Sequence, residues 1–339
     1  MSRKLFDYCG ISSIGINAPK SLLERIAENM EGEVGNLENS ECSIFISQPE
    51  NPGEIVKDKN FDYLTVNSFG TKSQPSIRYT RYNTHVRTIH QKSLTEYCVD
   101  SMVKLDEASG LICIRNYLSN HPKLSNLPLL HSSLVNCDGK GVLIAGNSRQ
   151  GKTTSMVYML EDLGAVFVGD ENIILNSENK KIRGLYVPRT PRVRFSTIAQ
   201  SSLSKTLENV ELANATQYID PDAIEKIVAS KNFYVDAGLA FSRKSFCNLL
   251  GTSSKDSSDI DLVLFPNYVE GNSFKIRNVE FEEGVRRLSN TGLVKKSEID
   301  PKELAETQID LDKERFMDIN FLEISFQNIQ SLRKGGFRL

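Results

Sequence analysis

The sequence predicts an α/β domain built around a phosphate-binding loop and preceded by a smaller α+β domain. Three observations carry this. Gly146-Asn147-Ser148-Arg149-Gln150-Gly151-Lys152-Thr153 has the spacing G-x-x-x-x-G-K-[ST]. Val142-Leu143-Ile144, just before it, has the β-branched, apolar composition of a central strand. Met156, Met159, Leu160 and Leu163, just after it, recur at i, i+3, i+4 and i+7, one apolar helical stripe that Gly164 can stop.

In such a loop the glycines let the backbone wrap so that successive N–H groups point at a phosphate. Lys152 reaches the β- and γ-phosphates, and the Thr153 hydroxyl ligates Mg²⁺. The positive end of the helix, beginning near Lys152, Thr153 and Thr154, acts on the same spot. A glycine-rich turn with a surface lysine is the plainer alternative, and the strand–loop–helix context argues against it. Gly146 through Thr154 therefore form the candidate nucleotide-binding set, with a nucleoside triphosphate and Mg²⁺ as the expected ligands.

The chain's 339 residues suit two domains, taken as 1–125 and 126–339. A net charge of −2, from 41 basic and 43 acidic residues, gives no polyelectrolyte signature, so neither nucleic acid nor an acidic membrane is implied. The six cysteines are scattered without a C-x-x-C pair, and the four histidines lack metal-ligand spacing. The start, Met-Ser-Arg-Lys-Leu-Phe-Asp, develops no apolar core, and no apolar run reaches membrane-spanning length. A cytoplasmic protein without membrane partners is expected; assembly into a homo-oligomer is compatible with the sequence.

Residues 1–125 carry no chemical motif, and their expected role is substrate recognition. Ser21 to Met30 reads as an amphipathic helix, Cys42 to Ser47, Tyr63 to Val66 and Ile77 to Ile89 as strands, and Gln48 to Glu54 as turn. Lys104 to Asn120 reads as a helix ended by His121-Pro122. The basic and aromatic residues Arg78, Tyr79, Arg81, Tyr82, His85, Arg87 and His90 suit either an anionic-ligand surface or a strand with one wet face, and the strand is favoured.

The second domain opens with Leu129 to Cys137, then Asp138-Gly139, a two-residue hairpin signal. With those residues as the turn, Cys137 faces Lys140 and His131 falls opposite Gly146, at the entrance of the loop. His131 is thus a candidate catalytic residue or, equally, a hydrogen-bonded core histidine. Ala165 to Val168 leads into Asp170-Glu171 as a strand expected beside the loop strand. One carboxylate there can hold Mg²⁺ while the other accepts a proton, unless the pair is a solvated turn. The arginines and prolines from Ile182 to Phe195 suit a phosphate clamp or an exposed alternating strand, and Arg149 is the other candidate clamp. Pro221 to Ser230, capped by Asp220, and Phe233 to Leu250 read as helices. Asp259 to Pro266 reads as another central strand with its acids at the wrong end for catalysis. Segments at Glu280 to Leu288 and Pro301 to Thr307, a strand at Phe321 to Phe326 and a helix at Gln327 to Lys334 follow. The tail from Gly335 is expected to fray.

Leu130-His131, the Asp138-Gly139 hairpin, Gly146–Thr153 and Val168-Gly169-Asp170-Glu171 together resemble the catalytic domain of HPr kinase/phosphorylase and its kinase-like relatives. The similarity covers roughly residues 127–200. It implies a P-loop kinase fold related to phosphoenolpyruvate carboxykinase. It also implies that Lys152 and Thr153 hold phosphates and Mg²⁺, that Asp170 is the base, and that Glu171 replaces a second Asp. Ile182-Arg183-Gly184-Leu185 faintly echoes the family's Arg-Gly-Leu segment. Thr154 stands where the bifunctional members have Glu, and their C-terminal signature has no counterpart here, which implies a stand-alone kinase without phosphorolysis. The implied reaction moves the γ-phosphoryl group of ATP to a hydroxyl-bearing acceptor: a peptide, a protein or a small molecule. A nucleotide-sensing module with little turnover is the alternative.

Overall fold

The computed structural model describes residues 2–18, 20–30, 33–34, 42–47, 55–57, 63–66, 76–79, 84–91, 94–101, 111, 114–115, 118, 121, 123–177, 181–209, 221–233, 237–270, 274–295 and 304–338. The chain is mixed α/β and divides into two units, Met1–Asn126 with Lys295–Glu303, and Leu127–Val294 with Leu304–Leu339. Among the described residues, no helix is long and apolar enough to cross a membrane.

In the first unit, β1 (Ser2–Tyr8), β2 (Ser12–Ala18), β3 (Glu33–Val34), β4 (Cys42–Ser47), β5 (Ile55–Lys57), β6 (Tyr63–Val66), β7 (Ser76–Tyr79), β8 (Thr84–Gln91) and β9 (Leu94–Ser101) form one sheet. Its order is β3-β1-β2-β4-β9-β8-β7-β6-β5. The helix Lys20–Ala27 buries Leu22, Leu23 and Ile26. Ile77 to Ile89 is not one strand: it contains β7 and β8, which pair antiparallel with Ile77 opposite Val86. The expected helix at Lys104 to Asn120 is described only at Leu111, Ile114, Arg115 and Leu118, all helical. The turn at Gln48 to Glu54, Arg81, Tyr82 and Asp220 lie outside the described residues.

The second unit is organised by a sheet of β11 (Ser132–Cys137), β12 (Lys140–Ala145), β13 (Val166–Gly169), β19 (Leu262–Tyr268), β20 (Lys275–Asn278) and β23 (Asn320–Phe326), in the order β13-β11-β12-β19-β23-β20. β12 is central and parallel to β19, and β19 is parallel to β23. Both faces are covered. Val135, Val142 and Ile144 pack on one side with the helix Lys152–Asp162, and Leu134, Leu143 and Ala145 pack on the other. That is why Val142-Leu143-Ile144 is an unbroken apolar run instead of an alternating one. Gly141 is sterically required, since an added Cβ would lie 1.7 Å from the Asp259 carbonyl oxygen. A second sheet carries β10 (Leu129–Leu130), β14 (Ile173–Asn176), β15 (Arg183–Tyr186), β18 (Ser257–Asp259), β21 (Gly292–Lys295) and β22 (Leu304–Thr307). β16 (Arg192–Arg194) and β17 (Gly238–Ala240) form a small antiparallel pair.

Further expectations are corrected here. Asp259 to Pro266 is not one strand: Asp259 ends β18 in the second sheet, and β19 starts at Leu262. The strand before Asp170, β13, does not adjoin β12; β11 lies between them, pairing antiparallel with each. Phe233 to Leu250 is not one helix: β17 comes first, and the helix Arg243–Leu250 starts where Ser242 Oγ accepts the Ser245 N–H at 3.1 Å. The tail is packed, not frayed. Gly336 adopts φ +63 to end the helix Ile329–Gly335, and Phe337 is 1 % exposed beside Tyr158 and Phe274. Its carbonyl accepts the Tyr158 hydroxyl at 3.0 Å. Phe337→Ala is therefore expected to cost about 3–5 kcal/mol in chemical denaturation, whereas a frayed tail would cost nothing measurable.

Candidate functional site

The register fixes which sequence motifs meet. β11 runs antiparallel to both β12 and β13, so β12 and β13 point the same way. The loop leaves the end of β12, the acidic pair leaves the end of β13, and Ser132 and Ser133 begin β11 at that same edge. The loop strand and the acid strand are two strand spacings apart, about 10 Å.

The loop turns on two glycines, Gly146 at φ +155 and Gly151 at φ +99, with Arg149 at φ +68 between them. A Cβ on Gly151 would sit 2.7 Å from the Phe326 ring, so glycine is needed there for space as well as for torsion. The helix Lys152–Asp162 starts from Gly151 with no side chain capping its first turn. Its leading N–H groups thus keep the orientation that binds anions. The helix is buried well beyond the expected stripe, since Ser155, Val157 and Tyr158 are enclosed as well.

Lys152 is 7 % exposed, and its ammonium donates to the carbonyls of Gly146 at 2.8 Å and Asn147 at 3.1 Å. It closes the loop on itself. The Gln150 side-chain oxygen accepts the Asn147 N–H at 2.7 Å, and Asn147, Ser148 and Arg149 are exposed. Thr153 is half-buried at the second helical position. Thr154 instead shares a 2.9 Å hydroxyl–hydroxyl hydrogen bond with Thr197, tying the loop helix to the segment after β16.

Asp170 is 4 % exposed. Its Oδ1 accepts the Ser133 hydroxyl at 2.6 Å, while its buried Oδ2 has no hydrogen-bond partner. Burial first, and then the charge of Glu171, push its pKa up to about 6, against the Ser133 hydrogen bond and the charges of Arg189 and Lys152. Glu171 adopts φ +64, a left-handed conformation uncommon for a residue with a Cβ, and pairs with the guanidinium of Arg189. His131 stands one residue before the first ladder pair, Ser132 with Ala145, and its N–H donates to the Thr291 carbonyl at 2.8 Å. It lies at the same sheet edge, at the point where the chain passes from β10 to β11.

The remaining sequence candidates are dispersed. Arg183 pairs with Asp259 at 3.0 Å on an exposed surface, and Asp261 accepts the Gly141 N–H at 2.8 Å. Arg192 and Arg194 are exposed on β16. Sequence reasoning missed Ser133, although the hairpin register already placed it near the loop. Tyr186 and the buried Arg243 gave no local signal.

A divalent cation fits the donor set in a particular way. Among the described residues no group of three or more His, Cys, Asp or Glu is arranged to hold a metal alone. Mg²⁺ needs no such cage, because it commonly binds one or two carboxylates together with substrate phosphates and water. The carboxylates of Asp170 and Glu171 and the Thr153 hydroxyl are oxygen donors of the kind that mode uses.

The raised pKa has a consequence for the metal-free protein. A carboxyl that titrates higher when folded adds stability that is fully present below about 3.8 and is lost as pH rises through about 6. Other carboxylates act in the opposite sense. Glu283, bonded by Arg277, and Glu323, partly buried but bonded by Arg277 and Arg287, are held below the usual range. The difference between wild type and Asp170→Asn isolates the Asp170 contribution. The unfolding free energy of the wild type is expected to fall relative to the variant between pH 4 and 6, read from denaturant titrations; a pH-independent difference would contradict this placement.

No family model matches the chain, and no curated protein matches it. Among solved structures it is similar to the HPr(Ser) kinase/phosphatase from Coxiella burnetii, at 15 % identity and a TM-score of 0.25, over 61 % of this chain and 95 % of that one.

Proposed function

We propose that the chain is an ATP- and Mg²⁺-dependent kinase that transfers the γ-phosphoryl group to a hydroxyl of a peptide, a protein or a small molecule in the cytoplasm. The observation that carries this reading is the buried, unpartnered Oδ2 of Asp170 at the sheet edge from which the phosphate-binding loop also leaves.

The loop N–H groups and the uncapped start of the helix Lys152–Asp162 receive the phosphates. The Lys152 ammonium exchanges its bonds to the Gly146 and Asn147 carbonyls for phosphate oxygens. Thr153 with Asp170 or Glu171 would hold Mg²⁺, which when bound would supply charge neutralisation on the phosphate oxygens. Asp170, oriented by Ser133, takes the proton from the acceptor hydroxyl. The acceptor oxygen then bonds to the γ-phosphorus, the bond from that phosphorus to the β,γ-bridging oxygen breaks, and ADP leaves with the electron pair. A carboxyl titrating at about 6 is ionised at neutral pH and is a stronger base than an ordinary aspartate. His131 is assigned to the same edge as a supporting polar group. The first unit is assigned to acceptor recognition.

Calorimetric titration with ATP, with and without Mg²⁺, tests the first half of the reading. Mg²⁺-dependent binding is expected, with little phosphate released until an acceptor is added. A chain that binds no nucleoside triphosphate would sink it.

A further inference from the structure

We propose that Arg189 is the arginine that meets the transferring phosphoryl group, and that Tyr186 is the positioning residue that holds it in place. The inference rests on the kinase reading above. Between Ile182 and Phe195 the arginines occupy different settings. Arg183 is committed to Asp259 on an exposed surface, and Arg192 and Arg194 project from β16 on the side opposite buried Val193. Arg189 is half-buried, its guanidinium pairs with Glu171, and its charge acts on Asp170.

The backbone of Arg189 is held at both its N–H and its carbonyl. The Tyr186 hydroxyl accepts the Arg189 N–H at 2.9 Å and donates to the Arg189 carbonyl at 3.0 Å. Tyr186 is in turn fixed by the Arg243 guanidinium 4.2 Å from its ring centroid, and Arg243 donates to Asp256 at 2.6 Å. Pro188 and Pro191 restrict the chain on either side, and the Pro191 carbonyl accepts the Phe241 N–H at 3.0 Å. This is a long cationic arm on a fixed base, resting on Glu171, one of the two carboxylates assigned to Mg²⁺ above. A divalent cation held by Glu171 would compete with this ion pair and free the guanidinium for the anion that the cation accompanies. Its planar fork matches phosphoryl oxygens in two-point contact. It gives and takes no proton; it stabilises the charge on those oxygens as the bridging P–O bond breaks and the acceptor O–P bond forms.

The test uses the full chain with Mg²⁺–ADP and aluminium fluoride, a mimic of the phosphoryl group in flight. Arg189→Ala is expected to bind Mg²⁺–ADP about as wild type does, while losing about 100-fold or more both in affinity for the ADP–fluoroaluminate complex and in turnover. Arg189→Lys, which keeps the charge but not the fork, is expected to lose about tenfold, and it serves if the alanine variant folds poorly. Tyr186→Phe should lower turnover in the wild-type background and add nothing in the Arg189→Ala background. Transfer and mimic binding that survive Arg189→Ala intact overturn the inference while leaving the kinase reading standing. A Tyr186→Phe loss that persists in the Arg189→Ala background overturns the positioning role. A wild type that binds no nucleotide removes the functional reading and this inference together.

Discussion

Asp170→Asn is expected to abolish phosphoryl transfer, with a loss of about 100- to 10,000-fold, while nucleotide binding survives and the protein becomes no less stable at neutral pH. The change is nearly isosteric. The Asn oxygen can still accept the Ser133 hydroxyl, which now bonds Oδ1 at 2.6 Å. What disappears is a charge that burial and Glu171 both oppose. Relief of that opposition is expected to hold or raise the melting temperature, the usual trade between stability and a poised catalytic group. The loop is separated from Asp170 by β11, so the proposed ATP binding is expected to survive the substitution. A variant that simply misfolded would lose binding, stability and turnover together. Calorimetry for binding, thermal melting for stability and a coupled ADP assay for turnover separate the two cases.

Lys152→Ala is expected to have the other large effect, on binding itself. A charge-assisted hydrogen bond is worth about 1.5–3 kcal/mol, so losing the ammonium weakens ATP binding by about 10- to 100-fold. Turnover is expected to fall further, because in the proposed reaction the same charge acts on the γ-phosphoryl group as it moves. The structure adds a second cause. The ammonium bonds both the Gly146 and the Asn147 carbonyl, so its removal also loosens the loop in the nucleotide-free protein. Lys152 is in addition one of the positive charges that hold the Asp170 pKa down. Asp170 in the Lys152→Ala variant is therefore expected to titrate higher than in the wild type, a readout that needs no nucleotide. ATP affinity unchanged in Lys152→Ala would contradict the assignment of the loop.

The parts of the site legible in the sequence are those set by short-range rules. Glycine spacing, a β-branched run and a helical stripe place the loop between β12 and its helix. An Asp-Gly turn fixes the β11–β12 register to the residue, with Cys137 opposite Lys140. What was not legible depends on partners distant in the chain. The order of strands is one case, since nothing local states that β11 inserts between β12 and β13. The packed tail is another. Gly335-Gly-Phe-Arg-Leu looks like an unstructured end, and only the contacts of Phe337 with Phe274 and Tyr158 make it part of the core. Gly238 read as a helix interior is a third. Its strand exists because β17 packs on β16 so closely that an added Cβ would lie 2.1 Å from the Val193 carbonyl oxygen.

The chemistry divides in the same way. Asp170 and Glu171 announced themselves as a pair after an apolar run, but their inequality did not. Ser133, buried at the start of β11, bonds Asp170, and Arg189, from the loop after β15, pairs with Glu171. Two adjacent acids thereby acquire different surroundings, one enclosed and short of a partner, the other half-exposed and ion-paired. Different surroundings are what separate a base from a charge anchor.

The central claim is that the loop and Asp170 are two sides of one phosphoryl-transfer site. It is tested most directly by incubating wild type and Asp170→Asn with ATP, Mg²⁺ and a panel of hydroxyl-bearing peptides and metabolites, following acceptor mass and ADP together. One acceptor class is expected to gain a single phosphate, matched by ADP, with wild type and not with Asp170→Asn. ADP formed by Asp170→Asn at the wild-type rate, or formed by wild type at a rate indifferent to every acceptor, would contradict it.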